Sequence, residues 1–187
     1  MSAHAYTEDQ LVEQPAIGLF AELGWTTVSA LEETFGATGT LFRETKGEVV
    51  LVSRLRASLE RLNPARPPEA ITTAVDELTR DRSAMSLEAA NREVYRLLKE
   101  GIPVSVMDAG DSTPHPSPLP GRGGEGGKRG ERKGGQTTVR VRVIDWEQPA
   151  NNDFLLVSPV SVAGALYTCR PDLVGFVNGL PLVVIEL

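Results

Sequence analysis

An Asn-Gly pair between two apolar runs is the feature that most constrains how this chain can fold. Residues Arg170 to Leu187 read RPDLVGFVNGLPLVVIEL, with Asn178-Gly179 near their centre. Asn and Gly tolerate the positive φ angles of tight turns better than other residues, so Asn-Gly between β-rich runs is a strong hairpin signal. These residues are therefore predicted to form two antiparallel strands joined by a short turn.

Two carboxylates stand at the open end of this predicted hairpin. Asp172 begins the first strand and Glu186 ends the second. Carboxylates are uncommon in strands, and burying one is costly unless a cation or hydrogen bonds compensate. A divalent metal is one such partner, and oxygen ligands suit Mg²⁺. Lone acidic residues at strand ends also occur for purely structural reasons, so the pair by itself leaves a metal site and a structural role open.

The register of the hairpin decides whether the two carboxylates can share a metal. Residues directly opposite each other in an antiparallel pair share a face, and faces alternate along each strand. A regular two-residue turn pairs Val177 with Leu180. Counting outward from that pair, Asp172 and Glu186 fall on opposite faces. A three-residue loop, or a bulge that shifts the register by one, brings them opposite each other, and we predict one of these irregularities.

Pro171-Asp172, a hairpin and a second acidic residue at Glu186 resemble the PD-(D/E)xK nuclease signature. The segment RPDLVGFVNGLPLVVIEL is similar in particular to the restriction (R) subunit of type I restriction–modification enzymes. The similarity continues upstream through VRVIDWEQPANNDFLLVSPVSV (141–162) and TEDQLVEQPAIGLFAELGW (7–25). The family places a lysine two residues after the second acid, which is position 188, one residue beyond Leu187.

The resemblance implies a fold, a reaction and partners. The expected fold is α/β, a restriction-endonuclease-like mixed sheet flanked by helices, with residues 1–187 as the N-terminal part of the nuclease domain. The expected activity is Mg²⁺-dependent cleavage of double-stranded DNA, with Asp172 and Glu186 as catalytic metal ligands. Glu13 matches the metal-proximal glutamate that similar nucleases often carry on their first helix. The implied partners are duplex DNA and the modification (M) and specificity (S) subunits.

In the family, an ATP-driven motor moves the DNA before it is cut, and ATP belongs to that longer protein. No GxxxxGK[ST] phosphate loop occurs in this sequence. Two alternatives stand beside the nuclease hypothesis. One is a truncated, catalytically inactive remnant that only binds DNA or partner subunits, since the lysine position is not reached. The other is a related metal-dependent nuclease that acts alone.

Residues 7–101 carry mainly helical signals. Thr7 and Gln10 form a capping box for a first helix, in which Pro15 is expected either to introduce a kink or to restart the helix. Apolar residues then recur at helical spacing in three further stretches. The second of these helices opens at Pro67-Pro68, and the third begins after Ser86 and is closed by Gly101. These stripes are interpreted as core packing rather than as a cofactor site.

Strands are predicted for 102–108 and for the region 137–187, where apolar and polar residues alternate. Between them, 110–136 has a different composition, because Gly110 to Gly135 contains nine glycines and four prolines. Such a segment has too few apolar residues to build a packed core, so it is predicted to be disordered. Our hypothesis is that it is an insertion at the tip of an antiparallel hairpin, where added length costs little.

Charge and composition narrow the class of protein. A chain of 187 residues with a net charge of −6 is expected to form one domain and not to coat nucleic acid electrostatically. The charge does not exclude a nuclease, because a metal site is itself acidic. No run approaches the ~18 apolar residues of a membrane span, so no membrane partner is expected. The single cysteine, Cys169, and the absence of a signal sequence predict a cytoplasmic protein.

Overall fold

The fold, taken from a computed structural model, is described for residues 9–107, 136–164 and 166–187. It is a mixed α/β arrangement, which confirms the predicted class. The helices are α1 (Gln14–Glu22), which follows a π-helical turn (Asp9–Glu13), α2 (Val52–Leu62), α3 (Pro68–Thr79) and α4 (Leu87–Glu100). The strands are β1 (Thr26–Ser29), β2 (Ile102–Met107), β3 (Gln136–Val141), β4 (Phe154–Ser158), β5 (Val162–Ala163), β6 (Thr168–Cys169), β7 (Leu173–Val177) and β8 (Leu180–Ile185).

The central sheet has four strands in the order β1-β4-β7-β8. β1 runs parallel to β4, whereas β4–β7 and β7–β8 are antiparallel. β1 lies within the part of the chain that was predicted to be helical, and the sequence analysis did not anticipate it. Two further strand pairs lie outside this sheet, β2 with β3 and β5 with β6.

β2 pairs with β3 in the antiparallel direction that the hypothesis of an insertion requires, and the insertion itself stays a prediction. β3 ends at Val141, which is earlier than the alternation of apolar residues suggested. Apart from Gln136, the segment 110–136 lies outside the described residues, so its predicted disorder stays a prediction. None of the described helices is long and apolar enough to cross a membrane.

Two clusters of buried apolar side chains hold these elements together. The first lies between helices α2, α3 and α4 and the β2–β3 pair, and it includes Leu59, Ile71 and Val104. The second covers one face of the central sheet and includes Leu155 and Phe176. The predicted helical stripes of α2 and α3 are therefore confirmed as core packing, because their apolar positions are buried.

The start of α1 follows from its proline. Pro15 lies in the first turn of α1, as the restart alternative required, but the π-helical turn runs directly into α1, with Glu13 itself helical at φ −67° and ψ −52°. The helix ends in a Schellman motif, in which Gly24 at φ 88° donates to the carbonyl of Ala21 and Trp25 donates to that of Phe20. No residue of α1 is fully buried. The helix is thus bounded by local signals but is held by few core contacts.

A buried ion pair organises the loop between β1 and α2. The Arg43 guanidinium makes two hydrogen bonds of 2.6 Å to the Glu33 carboxylate, and the two side chains are only 2% and 5% exposed. Arg43 also donates to the carbonyls of Glu48 (3.1 Å) and Ser161 (2.7 Å). Because a buried charge is tolerated only when it is paired and hydrogen-bonded, these contacts fix the glycine-rich loop against the segment that follows β4.

The turn of the β7–β8 hairpin is buried. Asn178 is 0% exposed. Asn178 and Gly179 have φ angles of 52° and 81°, so both adopt the left-handed conformation that the Asn-Gly pair predicted. The Asn178 side-chain amide donates to the Val143 carbonyl (2.8 Å) and to Asn152 Oδ1 (2.9 Å). The Gly179 carbonyl accepts a hydrogen bond from the Leu51 N–H, 2.9 Å, just before α2 begins. The turn therefore docks against the N-terminus of α2.

A second polar turn supports this docking. Asp145 accepts hydrogen bonds from the backbone N–H groups of Glu147 and Gln148, at 3.2 and 3.1 Å, as an aspartate that forms a turn with its own backbone does. The Asn151 amide, followed by the Gln148 N–H, lowers the pKa of Asp145 below its ordinary value. Asp145 is thus stabilised as a carboxylate.

We expect Gly179→Ala to lower the free energy of unfolding by roughly 2–4 kcal/mol. A Cβ atom at this position would lie 2.6 Å from both the Leu51 carbonyl oxygen and the Leu55 nitrogen, and the backbone φ disfavours any L side chain. The measurement is urea unfolding. The matched control is Gly18→Ala in α1, where a Cβ meets no atom within 4 Å and helix propensity favours Ala by up to about 1 kcal/mol. Equal stabilities of the two variants would contradict the docking described above.

We expect Asp145→Asn to lower Tm at neutral pH, and the difference from the wild type to shrink as the pH falls. Because the folded-state pKa of Asp145 is lowered, its stabilisation is fully present above the unfolded pKa of about 4 and is lost as the pH falls through the folded value. Thermal unfolding at several pH values measures this. The control is Asp76→Asn, since that exposed side chain has no side-chain partner among the described residues. A Tm difference independent of pH would contradict this prediction.

Candidate active site at one end of the sheet

Four strand ends meet at one end of the central sheet. β1 and β4 run in parallel to their last residues, where Ser29 pairs with Ser158. β7 runs in the opposite direction, so its first residue, Leu173, lies at this same end. Leu173 pairs in turn with Ile185 at the end of β8. The topology therefore brings together the residues that flank these strands, although they are distant in sequence.

A bulge in β8 sets the face on which Glu186 lies. Near the turn, Val177 pairs with Leu180, as in a regular two-residue hairpin. The register shifts beyond Phe176, which pairs with Pro181, while Gly175 pairs with Val183, so Leu182 is the extra residue. The predicted shift of one residue is confirmed, and it arises from a bulge rather than from a longer loop.

The shifted register ends one residue short of the carboxylates. Leu173 pairs with Ile185, so continuation of this register by one residue would set Asp172 opposite Glu186. The backbone N–H of Leu187 donates to Asp172 Oδ2 at 2.8 Å, which extends the contact between the two chain segments. Asp172 is half-buried, whereas Glu186 is exposed. The register is thus compatible with the predicted placement of both carboxylates on one face, and a shared metal stays a prediction.

Glu13 reaches the same end of the sheet from α1. It stands immediately before the first residue of the helix, and its Oε1 accepts a hydrogen bond from the Ser158 hydroxyl. Ser158 is the last residue of β4, so this bond ties the start of α1 to the end of a central strand. One oxygen of Glu13 is engaged in this way, and one oxygen of Asp172 is engaged by Leu187. Among the described residues, neither of the other two oxygens has a hydrogen-bond partner.

Glu13 and Asp172 line a common cavity of about 480 Å³. Ser158 and Arg170 also line it, and the remaining lining residues are Gln14, Ser29, Leu31 and Pro159. Glu186 lies outside the lining of this cavity. Within the described residues, no group of three or more His, Cys, Asp or Glu side chains is close enough to hold a metal ion.

The chemistry of the carboxylates nevertheless fits Mg²⁺. This ion keeps several of its waters and is commonly held by one or two carboxylates, so a three-residue protein cluster is not required. Asp172 and Glu13 provide two such groups in one cavity, and Glu186 follows the last residue of the strand that pairs with β7. These oxygens are hard ligands, and no imidazole or thiol is among the described residues that line the cavity. The arrangement suits a cation that prefers oxygen.

Sequence reasoning identified three acidic residues but missed two neighbours that line the cavity. Ser158 is one of several serines in the chain, and nothing in the pattern around it signalled a contact with Glu13. Arg170 stands directly before Pro171-Asp172, so its position next to the acidic motif was a signal that its side chain belongs to the same site. Ser158, in contrast, emerges only when the strand ends are brought together.

Two comparisons with known proteins both point to the R subunits of type I restriction enzymes. The family model described as the type I restriction enzyme R protein N terminus (HSDR_N) matches residues 5–117 and 124–187. The chain is also 29% identical, over 182 residues, to the type I restriction enzyme HindI endonuclease subunit of Haemophilus influenzae. That match covers 94% of this chain but only 14% of the length of the relative. No solved structure matches significantly.

We expect Ser158→Ala to loosen α1 from the sheet by about 1 kcal/mol, the contribution of a typical hydrogen bond. The substitution removes the donor to Glu13, and α1 has no fully buried residue to compensate. Amide hydrogen exchange of α1 measures the effect, and exchange should accelerate there while the β7 amides stay protected. The control is Ser161→Ala, because that hydroxyl bonds none of the described residues. Unchanged exchange in α1 would mean that Ser158 does not anchor Glu13.

Proposed function

The chain belongs to the family formed by the N termini of type I restriction enzyme R proteins, and from this premise we propose that it carries the nuclease centre of such a subunit. The proposed reaction is Mg²⁺-dependent hydrolysis of a phosphodiester in double-stranded DNA. The proposed fold relationship is to the restriction-endonuclease-like PD-(D/E)xK nucleases. The observation that carries the proposal is the bulge at Leu182, because its shifted register, continued by one residue, would set Asp172 opposite Glu186.

The bulge supports this proposal for a physical reason. Side chains alternate between the faces of a strand, so without the extra residue the two carboxylates would point away from each other. An inserted residue disrupts the ladder of hydrogen bonds, and such bulges are over-represented next to active sites. A hairpin with only a structural role would gain nothing from placing two like charges opposite each other, since that arrangement is destabilising. A cation between them would remove the repulsion.

Each residue then has a defined task. Asp172 and Glu186 hold the metal, and the Leu187 N–H orients Asp172 by binding Oδ2. Glu13 offers a third carboxylate, which the Ser158 hydroxyl orients. When bound, Mg²⁺ supplies water activation and neutralises charge that builds on the phosphoryl oxygens. The half-buried position of Asp172 limits solvent access on one side of the pair.

Partners and coupling follow from the family and remain part of the proposal. The relative in Haemophilus influenzae is named as the endonuclease subunit of a type I restriction enzyme. We propose that this chain likewise acts in a complex with M and S subunits on duplex DNA. Cleavage would be coupled to ATP-driven translocation by a motor in the rest of the R subunit. The net charge of −6 agrees with a domain to which other parts of an assembly deliver DNA.

We expect Asp172→Asn and Glu186→Gln each to weaken Mg²⁺ binding to the 187-residue chain by about tenfold or more, because each removes a charged ligand. Glu13→Gln should have a smaller effect, since Glu13 approaches from a separate helix. Isothermal titration with Mg²⁺ measures the affinities. The control is Glu147→Gln, an exposed glutamate in the loop between β3 and β4.

The same substitutions also test catalysis, in a complete R subunit assembled with its M and S subunits. Asp172→Asn should reduce cleavage of plasmid DNA by at least about a hundredfold while ATP hydrolysis continues, because the motor does not use this carboxylate. Cleavage at the wild-type rate by Asp172→Asn would overturn the proposal. DNA binding without any Mg²⁺-dependent cleavage by the wild-type complex would instead indicate a binding remnant.

A further inference from the structure

Among the described residues, Arg170 is the one cationic side chain that lines the cavity shared by Glu13 and Asp172. It is exposed, and it forms no hydrogen bond or ion pair with any described residue. Other arginines among the described residues do form ion pairs, as Arg43 does with Glu33 and Arg54 does with Asp153. The guanidinium of Arg170 therefore shares a cavity with two carboxylates, and none of its donors is used by the part of the chain that the structure describes.

The backbone that carries Arg170 is held in place. The following residue, Pro171, is buried, and its carbonyl accepts a hydrogen bond of 3.3 Å from the Val160 N–H. A residue before proline is restricted to extended conformations, and in an extended chain residues two apart lie on the same side. Arg170 is thus placed on the side of Asp172, while Pro171 between them points inward. This anchoring fixes the base of the side chain and leaves its end in solvent.

We propose that Arg170 binds a non-bridging oxygen of the DNA phosphodiester that enters this cavity. The inference rests on the proposed nuclease function and adds a residue to it. A phosphate that approaches two carboxylates is repelled, so the site needs positive charge besides the metal. A guanidinium keeps its charge at every working pH and presents a planar fork of donors that matches phosphate oxygens. An arginine already paired with Asp172 would lack those free donors.

The first test measures DNA binding without cleavage, so that its outcome does not depend on activity. The 187-residue chain is titrated with a short DNA duplex in Ca²⁺, at several salt concentrations. Arg170→Gln should weaken binding by about tenfold and reduce the slope of log affinity against log salt by about 0.9, the value of one lost phosphate contact. Mg²⁺ affinity should stay within about twofold, because Arg170 is not a metal ligand. Arg170→Lys should restore the salt slope and only part of the affinity, since it keeps the charge but not the fork.

The matched control is Arg96→Gln, which removes an exposed arginine of α4 that does not line this cavity. If Arg170→Gln binds DNA with the same affinity and salt slope as Arg96→Gln, the proposal is overturned. A wild-type chain with no measurable affinity for the duplex would overturn it as well.

Failure of this inference can be told apart from failure of the proposed function. Loss of cleavage in Asp172→Asn together with unchanged DNA binding in Arg170→Gln would leave the nuclease standing and remove the role of Arg170. A lowered salt slope in Arg170→Gln, with cleavage unaffected by Asp172→Asn, would support the phosphate contact and refute the metal centre. Both losses together would support both proposals.

Discussion

The buried amide of Asn178 is the interaction on which the rest of the structure depends. The backbone of Asn178 takes the left-handed conformation that the turn requires. Its side chain forms hydrogen bonds with the Val143 carbonyl, Asn152 Oδ1 and the N–H of Asp153. One residue therefore joins the hairpin to the segment after β3 and to the loop before β4. Because a buried amide without partners is costly, these contacts determine one position for the turn. The register of β7 and β8 is counted from there.

The position of the site follows from that register and from one further residue. The turn and the carboxylates lie at opposite ends of the same hairpin, so any slip at the turn would carry Glu186 to the other face. The regular turn alone gives the wrong face, and the bulge at Leu182 corrects it. The turn fixes where the register begins, and the bulge shifts it by the one residue that the proposed pairing of Asp172 with Glu186 requires. The buried turn at one end of the hairpin thus determines, through the register of the two strands, where the carboxylates at the other end lie.

The features of the fold that depend on local sequence signals could be predicted, whereas those that depend on contacts between distant residues could not. The Asn-Gly turn, the proline in α1 and the Ser86 cap of α4 act within a few residues, so the sequence displays them directly. β1 is a short strand whose only described partner, β4, lies far along the chain. Its four residues are too few to show the alternation of apolar and polar residues that predicts a strand. The buried pair of Arg43 and Glu33 sits in a glycine-rich stretch that reads as an exposed loop. Charged residues are rarely buried, so the pattern argued against the contact that forms.

The three acidic residues are not held equally firmly, and this affects how the site can work. Asp172 and Glu186 are fixed by a hairpin whose strand β7 is buried along its whole length. Glu13 depends on α1, which keeps Leu19 and Leu23 largely exposed and relies on Ser158 and on the contact between Phe20 and Trp25. Helices with few buried contacts open at low free energy. The hairpin pair would therefore set the basic affinity for a metal, while Glu13 would contribute only when α1 is docked on the sheet.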